Sequence, residues 1–198
     1  PRPFRPLPDR KTDPKTGLAI RCVAVDYRDF PVIEWTLYFK NTGEKDTPVL
    51  SAIQALDIAL ERKAGQPEFV LHHHKGSPAN AEDYRPYETV LKPGQAKKIA
   101  ARGGRPTNSD LSYMNLEMPG DGGMIIVVGW PGQWAAQFDR AGGNRLAIRA
   151  GQELTHFKLL PGEEVRSPLM VLQFWKGDRI RSQNIWRRWM VAHNIPRQ

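Results

Sequence analysis

A single cysteine, Cys22, stands in 198 residues, so no internal disulfide can staple the chain. That usage is compatible with a reducing compartment without establishing one. The longest nearly uninterrupted apolar run, Met124 to Trp130, falls far short of the roughly 20 residues that a membrane helix needs. No basic start leading into an apolar stretch marks a signal peptide. The first residue is Pro rather than Met, so a fragment or a processed product is expected, and the compartment is not read from this end.

Catalytic and cofactor signatures are equally sparse. Gly103-Gly104 lacks the G-x-G-x-x-G or Gly-Lys-Ser/Thr context of a phosphate loop and reads as a turn. Ser77 and Ser109 lack a nucleophile-elbow context. In His72-His73-His74 only His72 and His74 share a face of a strand. No third His or Cys stands at a zinc-like spacing, so no metal and no cofactor is expected. Asp57, Glu61, Asp83, Glu88, Glu117 and Asp139 supply carboxyls, but none has a recognisable acid–base or nucleophile partner. Cys22, inside an alternating run, reads as a buried structural residue rather than an activated thiol.

The formal charge of +8 raises nucleic acid as a partner. Its distribution argues otherwise. Arg2, Arg5, Arg10, Lys11 and Lys15 lie at the start, and Arg179, Arg181, Arg187, Arg188 and Arg197 near the finish, without a reading motif between them. The simpler reading is that a basic end faces another part of the same protein, and nucleic acid and membrane are not expected partners.

What the sequence has in quantity is punctuation: 17 Gly and 17 Pro, set between short apolar runs. That favours a β sandwich or barrel over a helical bundle. Residues 1–16 read as an extended Pro-rich arm. Leu18, Ile20 and Cys22 alternate as one face of a half-buried strand. Ile33, Trp35, Leu37 and Phe39 face one way against Glu34, Thr36, Tyr38 and Lys40, and Asn41-Thr42-Gly43 turns the chain. Further strands are expected within 48–60, at 69–74, around Ile99, and at 124–128, 134–138, 145–149, 153–159 and 168–175. Polar loops separate them at 75–85 and 103–109. After Asp178, an N-cap residue, Ile180, Ile185, Trp186, Trp189, Met190 and His193 step at helical spacing, and Pro196 closes the run. The expected division is an arm at 1–16, an all-β body at 17–176 and a helical segment at 177–198.

Trp130-Pro131-Gly132-Gln133-Trp134 places two indoles about a tight turn, expected at a hairpin tip. Indoles stack on sugar rings and keep an N–H for hydroxyls. They also plug the ends of sandwiches, the commoner fate of large aromatics.

Several stretches, in order, resemble the N-terminal domain of glycoside hydrolase family 36, the α-galactosidase or melibiase group. Asp29 to Trp35 followed by Lys40-Asn41-Thr42-Gly43 is similar to the family's early strand and turn. Leu91-Lys92-Pro93-Gly94, Gly104 to Asn108 and Tyr113 to Leu116 are similar to its central stretch. Gly129 to Trp134 resembles its Y-S-G-N-W turn. Leu159 to Glu164, Pro168 to Phe174 and Asn184 to Arg197 resemble the last turn, strand and helix before the barrel. Pro106-Thr107-Asn108 and Tyr113-Met114-Asn115 depart from the pattern and mark a divergent branch. The resemblance implies a β-supersandwich whose C-terminal helix leads toward a (β/α)8 barrel lying beyond this chain. It places both catalytic aspartates of a retaining mechanism on that barrel, so this chain alone is expected not to be an enzyme. It also implies packing on the barrel through Trp186, Arg187, Arg188 and Trp189, and a role in oligomers. The rim or carbohydrate contacts expected are Trp130, Trp134, His74, Ser77, Asp83 and Tyr84, with an α-galactoside or other oligosaccharide as ligand. A free-standing carbohydrate-binding module is the alternative, and a basic nucleic-acid-binding domain a weaker one.

Overall fold

The computed structural model describes the backbone of residues 4–196 and the side chains of residues 11–196. Residues 1–3 of the arm, with Arg2, and Arg197 and Gln198 at the other end lie outside the described residues.

Strands dominate, in the order β1 (Phe4–Thr12), β2 (Leu18–Tyr27), β3 (Val32–Asn41), β4 (Leu50–Ser51), β5 (Leu56–Glu61), β6 (Phe69–His74), β7 (Pro86–Leu91) and β8 (Gln95–Ala100). There follow β9 (Tyr113–Met118), β10 (Gly122–Gly129), β11 (Trp134–Arg140), β12 (Arg145–Gln152), β13 (His156–Phe157), β14 (Glu164–Arg166) and β15 (Leu169–Trp175). One helix, α1 (Arg179–Trp189), ends in a π-helical turn, Met190–Asn194. The large sheet runs β1-β2-β3-β15-β10-β9-β6-β7, with β14 also on β3. The small sheet runs β5-β12-β11-β8, and β4 pairs with β13. Neighbours within each sheet are antiparallel.

Period-two patterning explains why the sheets stack. Phe69 and Leu71, Met114 and Leu116, Met124, Ile126 and Val128, and Met170 and Leu172 face inward from the large sheet. They meet Leu56, Ile99, Trp134, Ala136, Phe138, Leu146, Ile148 and Ala150 of the small sheet. Each large side chain fully buried in this way contributes about 1.5–3 kcal/mol. Ile33 and Trp35 join from β3 on the face their alternation predicts.

β2 departs from its expected alternation: Ala19 and Ala24 are its buried residues, while Ile20 is exposed and Cys22 half-buried. The arm is not simply an extended lead, because residues 4–12 form an edge strand on β2. Pro6 and Pro8 are two apart, so both missing N–H groups fall on one side of that strand, as an edge position allows.

The middle of the large sheet's outer face, around Val32, Val171 and Val127, is covered by α1. Asp178 caps the helix, its carboxylate accepting from the Arg181 N–H at 2.7 Å. Trp189 is buried against Val32 and Val171, with Tyr27, Phe30 and Trp186 around it. A polar seam fixes the register: Asn115 donates to Ser182 Oγ at 2.8 Å and accepts from Trp175 Nε1 at 3.0 Å. Gln173 donates to the Ser182 carbonyl at 2.9 Å. Trp175 needs a glycine beneath it, since a Cβ on Gly123 would lie 2.4 Å from its ring and 2.2 Å from the Leu116 carbonyl.

Candidate functional site

The two ends of the sandwich are built differently. At the end where β6 begins and β11 finishes, Arg140 is wholly buried. Its Nη2 meets Glu68 at 2.7 Å, its Nε donates to the Leu91 carbonyl and its Nη1 to the Arg145 carbonyl. Glu68 also holds Arg62 at 2.7 Å. This end is closed.

At the opposite end, where β6 finishes and β11 begins, three loops meet. The segment after β6 lies on the loop after β8: Gly76 N–H donates to the Ser109 carbonyl at 2.9 Å and Ser77 N–H to the Thr107 carbonyl at 2.6 Å. The approach is so close that a Cβ on Gly76 would sit 1.9 Å from the Thr107 oxygen. The Trp130–Trp134 turn grips the same loop from the other side. Trp134 Nε1 donates to the Pro106 carbonyl at 2.7 Å, and Gly104 N–H donates to Gln133 Oε1 at 3.0 Å. Glu153 accepts from Gln133 and Lys98, and the Lys98 contact holds its carboxyl below the usual range. The structure therefore brings the two segments singled out in the sequence, 74–84 and 130–134, to one end, joined through residues 102–110.

Individual residues fare differently. Trp134 is completely buried, with its N–H spent on backbone, and presents no face to a sugar. The turn is not a hairpin tip, because β10 and β11 belong to different sheets and residues 130–133 cross between them. A Pro-Gly turn reverses or redirects a chain equally well, and its residue types do not name the partner strand. Trp130 is half-buried, with the Arg166 guanidinium 5.3 Å from the ring centre. Ser77 donates to Asp83 at 2.7 Å. The Asn80 N–H and that hydroxyl hold the Asp83 carboxyl low, so the pair braces the loop. Tyr84 is 60% exposed and has a left-handed backbone, φ +61°. That conformation costs an L-residue roughly 1–2 kcal/mol, and such strain concentrates at working sites.

His72 and His74 share the outer face, as their spacing predicts, whereas His73 points inward beside Thr89 at 3.2 Å and stacks on Tyr87. His72 lies between Glu88 and Glu117 at 3.6 and 3.1 Å. His74 touches Tyr113, which touches Trp186, and burial lowers its pKa. Among the described residues no group of three metal-ligating side chains is poised to hold an ion.

The helix tryptophans also need correction as barrel contacts. Trp189 is 2% exposed and serves this domain's own sheet, whereas Trp186 packs on Tyr113 and Trp189 and stays half-exposed. The outward surface belongs instead to Arg187 and Arg188, with exposed Ile180, Val191 and Ile195. Helical spacing alone could not say which stripe met the sheet and which faced out.

The class defined by these features is a two-sheet antiparallel sandwich with one covering helix, open and loop-built at one end. No family profile and no curated protein matches the sequence. Solved structures do match. The α-galactosidase from Lactobacillus brevis superposes with a TM-score of 0.78 at 17% identity, over 96% of this chain and 25% of that one. The family 36 α-galactosidase AgaA from Geobacillus stearothermophilus, in complex with stachyose, gives 0.75 at 15% identity, over 94% and 26%. The galactosidase domain of the α-galactosidase–sucrose kinase AgaSK gives 0.72 at 18% identity, over 88% and 24%. At such identities the likeness establishes the fold: the sandwich matches the N-terminal domain of the family 36 enzymes, as the sequence resemblance implied. The chain spans about a quarter of the length of these proteins.

Proposed function

We propose that the chain is the non-catalytic β domain of a glycosidase resembling the α-galactosidases. In this reading it packs on a catalytic barrel elsewhere in the same protein and helps to shape the rim of that barrel's active site. The observation that carries the reading is the fold match, which takes in 96% of this chain but only 25% of an α-galactosidase. A domain of that share leaves the remaining length for the catalytic unit.

Two surfaces suit the two tasks. The outward face of α1 and its π-turn combines apolar side chains at Ile180, Val191 and Ile195 with Arg181, Arg187 and Arg188. Apolar side chains at the two ends with arginines between them fit an interface with an acidic patch on the barrel. The loop end offers Tyr84 on a braced scaffold, and rigid loops on a rigid sandwich are where binding residues collect.

The test is to express the 198-residue chain, the barrel encoded after it, and the two together, and assay a chromogenic α-galactoside. The chain alone should give no turnover, and the barrel should gain solubility and activity when the chain is present. Enzyme-like turnover by the chain alone would sink the proposal, as would a fully active barrel that ignores it.

A further inference from the structure

We infer that this chain carries a binding site of its own for a neutral sugar, in a cavity of about 450 Å³ beside Trp130. The volume lies within the roughly 300–1,000 Å³ of small-molecule sites and admits a mono- or disaccharide. The inference does not depend on how the domain packs against a barrel.

The cavity opens between the Trp130 turn, the end of β12 and β14. Its walls are aromatic: Trp130, Phe39 and Phe157. Such walls match the C–H faces of a pyranose ring, which lose little by leaving water. Polar atoms deep in the wall are already committed. Thr155 Oγ1 accepts from the Ile53 N–H at 2.9 Å. Ser167 Oγ accepts from the Leu37 N–H at 3.0 Å and donates to the Pro168 carbonyl at 2.8 Å. Bonding to a ligand therefore falls to the planar side chains of Gln152 and Arg166. These are groups that pair with adjacent hydroxyls, since an amide and a guanidinium each offer two polar atoms in one plane. Glu164 turns to the other face of β14 and pairs there with Arg21 at 3.5 Å. A polyol fits the groups that remain, its hydroxyl oxygens accepting from the guanidinium and the amide while its ring rests on the aromatic wall.

The site is also held in place. Trp130 is fixed by the crossing turn, whose Gln133 and Trp134 are tied to the neighbouring loop. A Cβ on Gly132 would come within 3.3 Å of Trp130 Nε1, so the indole edge rests on a glycine. Arg166 lies over the ring and is exposed, so it can yield the indole face to a sugar and keep its donors at the mouth.

The experiment is a titration of the 198-residue chain with melibiose, raffinose, maltose and cellobiose, followed by the indole N–H resonance of Trp130 in heteronuclear NMR. At least one sugar should shift that resonance saturably, with a dissociation constant around the millimolar range. Trp130→Ala and, separately, Gln152→Ala should each weaken binding by roughly ten-fold or more. Gln152 is only half-buried and bears no internal hydrogen bond, so its variant reports on the site even if Trp130→Ala unfolds. Absence of a saturable shift at about 50 mM of every sugar overturns the inference. So does binding that Gln152→Ala leaves unchanged. Saturation by an apolar probe such as indole, but by no sugar, overturns it too and assigns the cavity to an apolar partner. None of these results bears on barrel packing, which turnover and co-purification decide.

Discussion

Arg140 and His73 are both basic side chains buried in this sandwich, near opposite ends of it, and they are accommodated by opposite means. Arg140 is given a counter-charge: Glu68 lies 2.7 Å away, and two backbone carbonyls accept from its Nε and Nη1. His73, 3% exposed, has no carboxylate within ion-pair distance among the described residues, and its Nε2 meets the Thr89 hydroxyl at 3.2 Å. Burial, aided by repulsion from Lys97, pushes its pKa down to about 4, so it is neutral at pH 7. A buried charge survives only with a partner, and otherwise the group gives up its proton. The closed end is thus a fixed electrostatic clamp. The loop end is held instead by backbone and side-chain hydrogen bonds between loops, with a partly exposed Lys98–Glu153 pair, which leaves its outer residues available for contacts.

The clamp supplies the largest expected effect. Glu68→Ala leaves the Arg140 guanidinium buried beside two carbonyls with no counter-charge. Breaking one side of such a pair costs about 3–5 kcal/mol, readable as a lower midpoint in urea denaturation. Replacing both groups, Glu68→Leu with Arg140→Met, should recover most of that loss, because the desolvation penalty disappears with the charge. If Glu68→Ala changed stability by less than about 1 kcal/mol, the closed end would be no clamp.

Much of this arrangement was legible in the residues, and the exceptions share a cause. The alternation Ile33, Trp35 against Glu34, Thr36 placed β3 correctly, and Asp178 marked the helix start to the residue. No strand is expected between the loop at 103–109 and the strand at 124–128, although Met114, Leu116 and Met118 of β9 alternate with Tyr113, Asn115 and Glu117. Asn115 is polar for a partner 67 residues away, Ser182, and only the tertiary fold brings that partner in. The same holds for Trp134, Trp186 and Trp189, whose aromatic character was visible but whose direction was not. The open end was legible as two conspicuous segments. Their junction through residues 102–110 rests on backbone carbonyls such as Pro106 and Thr107, which carry no side-chain signature.

A pH titration sharpens the contrast at intermediate size. The unfolded chain binds a proton at His73 below about pH 6.5, whereas the folded chain resists until about pH 4. Between those values the unfolded state holds more protons, so stability falls as pH falls. The slope from this one group is up to about 1.4 kcal/mol per pH unit. His73→Gln should flatten the profile in that window. Loss from the hydrogen-bonded carboxylates Asp83 and Glu153, whose pKa values are lowered, begins at lower pH and should persist in the variant. An unchanged profile in His73→Gln would show that the loop end does not hold a neutral histidine.

The smallest effect concerns Tyr84, an exposed aromatic of the loop end. Its left-handed backbone costs roughly 1–2 kcal/mol for a tyrosine. Glycine adopts that conformation freely but gains about 0.5–1 kcal/mol of unfolded-state freedom. Tyr84→Gly should therefore stabilise the domain by a few tenths to about 1 kcal/mol. A side chain 60% exposed has little packing to lose that would reverse the sign. Stabilisation by that change would support the proposed role of the Tyr84 side chain in a contact outside this domain. In the whole protein the same substitution should lower kcat/KM or raise KM even as it raises the melting temperature. A gain in stability with kinetics untouched would remove Tyr84 from the rim and leave the loop end with Trp130 as its working aromatic.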